Sequence, residues 1–228
     1  MKILFTPEWF AGNDVFIDFF SFIVLVSFLV LCVKCYRLSR KKGLLHLGSG
    51  FFLIALAQLA LILTKLVLYY DTGFTHSVGQ AVIASNVVSS VDIFYYLGLF
   101  FHKLFTMLGL FVIYKIPVKR FMKSDIIIVA YFILASSLLS VSFYYVFYLT
   151  VLMLSVMIIS NYTEVYGKNR NPNTRLLIVG FLIFALSQLV FTFSRIGAVY
   201  VAASVIELIG FLVFFAVIVR ISKAAKKA

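Results

Sequence analysis

Residues 50–65 read GFFLIALAQLALILTK, sixteen positions with one amide, one hydroxyl and no charge before the closing lysine. A helix on the surface of a soluble domain would carry a polar stripe every 3.6 residues, and this one is apolar all round, which marks a buried or membrane-spanning helix. The run widens to roughly 44–70, beyond the ~20 residues that cross a bilayer core. The same phrase returns at 180–195 as GFLIFALSQLVFTFSR, with six of sixteen positions identical, a glutamine at the same place (Gln58, Gln188) and a base at the same end (Lys65, Arg195). Apolar composition alone does not readily match an amide and a terminal cation together, so the pair predicts an internal duplication of the kind common in membrane folds. Extended outward, the alignment sets Tyr36 against Tyr166 and, allowing for a shorter loop, Gly98 against Gly210.

Seven apolar runs meet or approach spanning length, at roughly 15–36, 44–70, 92–115, 125–141, 143–166, 174–195 and 198–221. The expected fold is all-α, an integral membrane seven-transmembrane-helix bundle forming a single domain over residues 1–228. Its plan is a parallel 3+1+3 repeat, in which the short fourth helix is an inverting linker that sets the second triplet in the same orientation as the first. A very tight turn near Ser142 and Tyr144 closes helices four and five into an antiparallel hairpin. Segment 71–91 is the only sizeable loop, too polar to span, and is expected to fold back over one face as a hairpin or short surface helix.

Charge sets the orientation. Sixteen of the twenty Lys and Arg residues fall into four clusters, around Lys34–Lys42, Lys115–Lys123, Lys168–Arg175 and Arg220–Lys227, while 71–91, 141–144 and 196–203 carry none. Cytoplasmic loops hold the excess of Lys and Arg, which places the N-terminus outside and the C-terminus inside a multi-pass protein of the cell membrane. With 64% hydrophobic and 12% charged residues and a mean hydropathy of +1.11, a soluble domain is excluded. The net charge of +12 is spread over short juxtamembrane loops, so anionic headgroups at the cytoplasmic face and membrane lipids are the expected partners and nucleic acid is not. A protein partner or homo-oligomer fits the same surface. The opening MKILFTPEWF lacks a small-residue cleavage site and is not expected to be a signal peptide. Trp9 and Phe10 read as anchors at the outer interface.

Ionisable groups deep in a bilayer are costly and persist mainly where they face a partner or a cavity. Three stand out. Lys103 lies eleven residues after Asp92 and twelve before Lys115, about 16–18 Å from either end of its helix at 1.5 Å per residue, too far for a lysine to snorkel. His102 is its neighbour, and Glu207 on helix seven lies thirteen residues before Arg220, as His102 does before Lys115. The three share a depth, and a Lys103–Glu207 contact, direct or through water, is expected to neutralise both charges; His102 is the rival partner for Glu207. Small and polar residues at helical spacing (Tyr95, Gly98, His102, Thr106, Gly109; Ser204, Glu207, Gly210) argue for close interior packing. Gln58 and Gln188 complete a buried polar core, either as interhelical hydrogen-bonding groups or as a pair of amides lining a pseudo-symmetric site. Lys65 and Arg195 read as cations complementing helix C-termini. Cys32 and Cys35 lie at the cytoplasmic end of helix one, where both thiols stay reduced, and with His46 would give only three ligands, so no metal site is expected. His76, His102 and His46 lie at three different levels. Asn161-Tyr162-Thr163 is a glycosylation sequon on the wrong side of the membrane. No phosphate loop, nucleophile elbow or HExxH helix occurs, and no catalytic residue or cofactor is expected.

Seven helices, an outside N-terminus, the 3+1+3 plan and a longer loop between helices two and three together resemble the microbial-rhodopsin-like heptahelical group. That resemblance implies a retinal-bearing lysine on helix seven two residues before a Gly-Phe pair; here Leu208 precedes Gly210-Phe211 and helix seven holds no lysine before Lys223. The repeat plan also looks like the SWEET and PQ-loop transporters, whose Pro-Gln pair is absent, since Pro7, Pro117 and Pro172 all lie outside the spans. A third resemblance is to prokaryotic seven-helix sensor modules, which without an effector domain would need a separate partner. The expected function is a non-enzymatic receptor-like or scaffold role acting through a membrane or cytoplasmic partner; the alternative is a small secondary transporter using Lys103, Glu207 and the two glutamines.

Overall fold

In chains this apolar, polar punctuation rather than amphipathic periodicity sets where helices stop. The computed structural model describes residues 6–40, 42–69, 90–116, 123–140 and 143–225. Among them a short 3-10 turn, Glu8–Phe10, precedes seven α-helices: α1 Asn13–Ser39, α2 Lys42–Tyr69, α3 Ser90–Lys115, α4 Lys123–Leu139, α5 Tyr144–Asn169, α6 Pro172–Phe191 and α7 Gly197–Ala225. α1 and α5 end alike. Arg40 and Arg170 adopt left-handed backbone at φ 55° and 44°, and their N–H groups return to the carbonyls of Tyr36 and Tyr166 at 2.8 and 2.7 Å, satisfying acceptors that a helix end leaves open. α6 then starts on an Asn171 cap that accepts from the Asn173 N–H at 2.9 Å, with Pro172 in the first turn, where its missing N–H costs nothing.

Six of the seven helices, all but α4, are long and apolar enough to cross a membrane; the apolar stretch described for α4 is Val129–Leu139. Large apolar side chains such as Phe16, Tyr131 and Phe132 face outward. In water they would form an adhesive surface, and in lipid they are solvated. The molecule is a membrane-spanning helical bundle.

Two helix ends and one side chain differ from expectation; α7 runs on to Ala225, past the expected 221. The sixth helix was expected to reach residue 195 and stops at Phe191, because the next residues tighten into 3-10 turns (Phe193 N–H to Val190, Ser194 N–H to Phe191, both 3.0 Å) that bring Gly197 against Pro7. Phe10 was expected at the membrane interface and is instead buried with Phe191, Tyr200 and Ala203, whereas Trp9 is 70% exposed. The expected surface element at 71–91 lies almost wholly outside the described residues, as does Ser142 of the tight turn.

α2 packs between α1 and α3, and α6 between α5 and α7; α3 meets α5 and α1 meets α7 across the middle, and α4 makes only light contact with α3 and α5. Glycines permit the closest approaches. A Cβ on Gly109 would lie 2.7 Å from the Gly50 carbonyl and 2.6 Å from Ile54, and one on Gly180 would strike the Phe214 ring at 2.5 Å, so both α2/α3 and α6/α7 depend on missing side chains. Between the halves, Phe28 stacks on Phe51 at 4.3 Å, and Phe214 meets Phe51 and Phe181 edge-on at 5.8 and 5.1 Å. This four-ring plug closes the side of the interface away from the N-terminus.

Candidate functional site: a polar cavity between two three-helix halves

α1 opens with Asp14 and Asp18, four residues apart and so on one face of the helix. Opposite them on α2 is Lys65, one turn from the helix end. Lys65 Nζ lies 2.5 Å from Asp18 Oδ2 and 3.0 Å from Asp14 Oδ2, with all three side chains buried. Asp14 also accepts from the Gly12 and Val15 N–H groups and from the Thr6 hydroxyl. Low-dielectric surroundings penalise each charge singly, and the arrangement survives because the ammonium is shared by two carboxylates whose oxygens find further donors. The reading of Lys65 as a helix-terminal cation is thereby corrected. Its match to Arg195 is one of sequence only, since Arg195 is exposed with its guanidinium 5.4 Å from the Tyr144 ring centroid.

Lys103 is buried as expected, but its Nζ donates to the Ser140 carbonyl at 3.0 Å. Ser140 directly follows α4, so the ammonium meets a carbonyl group left open by the short helix. No direct Lys103–Glu207 ion pair forms among the described residues. His102 does not partner Glu207 either; its Nδ1 is 3.1 Å from the Ala57 carbonyl and, facing an acceptor, carries the hydrogen. Glu207 has no hydrogen-bonding or ionic partner among the described residues. Gln188 Nε2 donates to Ser187 Oγ at 3.2 Å. Gln58, 5% exposed, leaves its Oε1 without a partner.

Lys103, Glu207, His102, Gln58 and Gln188 nevertheless meet. All five line one cavity of about 80 Å³, together with Asp18 and Lys65, and a volume of that order holds a few waters. Nine lining residues come from α1–α3 and nine from α5–α7, which puts the cavity on the seam between the halves. Its floor is set by spacing. Gln58, Gln188 and Glu207 each lie seven residues from a plug ring, Phe51, Phe181 and Phe214 respectively, so polar group and ring share a helix face about 10 Å apart at 1.5 Å per residue.

Sequence reasoning missed the Asp14–Lys65–Asp18 triad. The signal was present as two acids at i, i+4 opening an apolar helix, and the proximity of Lys65 across the α1/α2 pair was not. Tyr148 and Tyr200, which also line the cavity, carry no sequence signal separating them from the chain's other tyrosines. Among the described residues no group of three His, Cys, Asp or Glu side chains gathers as a metal site. His46 Nδ1 lies 2.9 Å from the carbonyl of Lys42 on its own helix, and Cys32 is buried. Comparison of the chain with protein-family models, with curated proteins and with solved structures finds no match, so the rhodopsin-like likeness rests on topology alone.

Proposed function

We propose that the protein is a non-enzymatic heptahelical protein of the cell membrane, N-terminus outside and C-terminus inside, that works as a small secondary transporter built as a 3+1+3 repeat. One observation carries this reading: the polar cavity is shared equally by the two three-helix halves. A site between repeat units, near mid-membrane, is where rocking of one half against the other exposes a solute first to one side and then to the other. The aromatic plug supplies the closed side, and the Asp14–Lys65–Asp18 triad lies toward the N-terminal end. The repeat gains support from the matched helix ends at Tyr36/Arg40 and Tyr166/Arg170.

The test is reconstitution in liposomes on a solid-supported membrane, challenged with small amino acids, amines and carboxylates. A saturable current evoked by one class, lost in Gln58→Leu and Gln188→Leu, is the expected result. No current with any class would overturn the transport reading.

The receptor-like or scaffold role is the second reading. It is favoured by both buried lysines being already engaged, ties that hold one helix arrangement and would let a bound ligand bias the bundle toward a separate partner or a second copy. Anionic headgroups at the Lys/Arg-rich face would serve either role.

A further inference from the structure

We propose that the cavity is a binding site for a small monovalent cation, held by the Glu207 carboxylate and the Gln58 amide oxygen. This deepens the transport reading by naming a ligand class, but it stands on the charge and hydrogen bonding of the cavity and not on movement of a solute.

The ionisable groups of the triad and the cavity do not balance. Buried Asp14 and Asp18 and the half-buried, cavity-lining Glu207 supply three carboxylates, whereas Lys65 and Lys103 supply two ammonium groups, and His102 with its hydrogen on Nδ1 adds no charge in the neutral form. One negative charge is left over in surroundings that tolerate none unpaired. Two carboxylates on one ammonium leave it formally with the triad, whose oxygens also draw on the Thr6, Gly12 and Val15 donors; Glu207 is the carboxylate that meets neither a donor nor a cation directly, Lys103 being turned to the Ser140 carbonyl.

Hydrogen bonding points the same way. Three donors on the wall are turned to other partners: Ser204 to the Tyr200 carbonyl, Thr106 to that of His102, Gln188 Nε2 to Ser187. Unspent acceptors remain, namely the Glu207 carboxylate and the buried Gln58 Oε1 with no partner. Buried acceptors without donors are rare in folded proteins and call for an occupant. An amide oxygen cannot take up a free proton near neutral pH, yet it ligates a hard cation or accepts from an ammonium. Sodium with part of its water shell and a primary ammonium share the required chemistry, a compact single positive charge.

The experiment is thermal unfolding of the purified full-length protein in detergent, titrated with sodium chloride or methylammonium chloride against N-methyl-D-glucamine chloride at constant ionic strength. The proposal expects a saturable rise in melting temperature with one of the small cations, abolished in Glu207→Gln, weakened at least tenfold in apparent affinity in Gln58→Leu, and kept in the surface control Glu164→Gln. A response to sodium alone identifies a metal ion; a response to methylammonium alone identifies an amine. Should Glu207→Gln fail to fold, equilibrium binding of radioactive sodium or methylammonium to the wild type and Gln58→Leu decides. No saturable effect of either cation, an equal effect in both variants, or stabilisation by acid alone would overturn the proposal. Saturable binding without any solute-evoked current would keep the site and remove only the transport reading.

Discussion

Lys65 and Lys103 are both buried lysines, and their partners predict different costs of losing them. Removing Lys65 strands two carboxylates, so Lys65→Met should lower stability by about 3–5 kcal/mol. Lys103 gives up one charge-assisted hydrogen bond to a carbonyl, so Lys103→Met should cost about 1.5–3 kcal/mol. In denaturant unfolding, Lys65→Met combined with Asp18→Asn should cost clearly less than the two single losses summed. Lys103→Met with Glu207→Gln should come close to additive, since those groups do not touch; strong coupling in the second pair and none in the first would reverse the assignment. The sequence made Lys103 conspicuous because it is mid-helix, and its burial follows that reading. Its partner was not legible, because sequence gives the level of a residue along a helix and not the neighbour it faces. Asp14 and Asp18 escaped for the converse reason: lying near a helix end, they do not stand out as deep groups.

At the scale of the helix, spacing was the reliable guide and termini were not. The hydrophobic runs located every helix to within four residues; the largest misses are the ends of α6, where Thr192–Ile196 turns out of the helix beside the Pro7–Gly197 contact, and of α7, which runs on to Ala225. The α2/α3 and α6/α7 approaches rest on glycines, and they test differently from glycines facing outward. Gly109→Ala places a Cβ against the Gly50 carbonyl and Ile54, and since backbone cannot swing aside as a side chain can, a loss of about 1–3 kcal/mol follows. Gly167→Ala, on α5 with nothing within 4 Å, should leave stability unchanged or raise it by up to about 1 kcal/mol through helix propensity. Circular-dichroism melts of the two variants check both. The same contacts revise the alignment of the repeat: Gly109 approaches the Gly50 carbonyl, and Gly210 lies nearest Gly180 and Phe184, so Gly109 and not Gly98 is the better counterpart of Gly210.

For the whole molecule, the sequence made the membrane class legible, together with the places of the seven helices among the described residues, six of them long and apolar enough to span. The seam between halves, with rings on one side and a cavity on the other, was not, because an apolar Phe51 and an apolar lipid-facing Phe52 look the same in one dimension. In a background lacking Cys32 and Cys35, Asn13→Cys should react with an impermeant maleimide only from outside the cell and Asn169→Cys only from inside, and the opposite pattern would invert the topology drawn from the charge clusters. A polar cavity between the halves, with the Phe28–Phe51–Phe181–Phe214 rings packed on the side away from the N-terminus, predicts access from the N-terminal end alone. This access is tested most directly by labelling Ser204→Cys, on the cavity wall, and Val217→Cys, one turn past Phe214, with a small water-borne methanethiosulfonate. The account predicts that position 204 reacts from the N-terminal side and that 217 does not react from that side; an unreactive 204, or equal reaction at both positions, would contradict it.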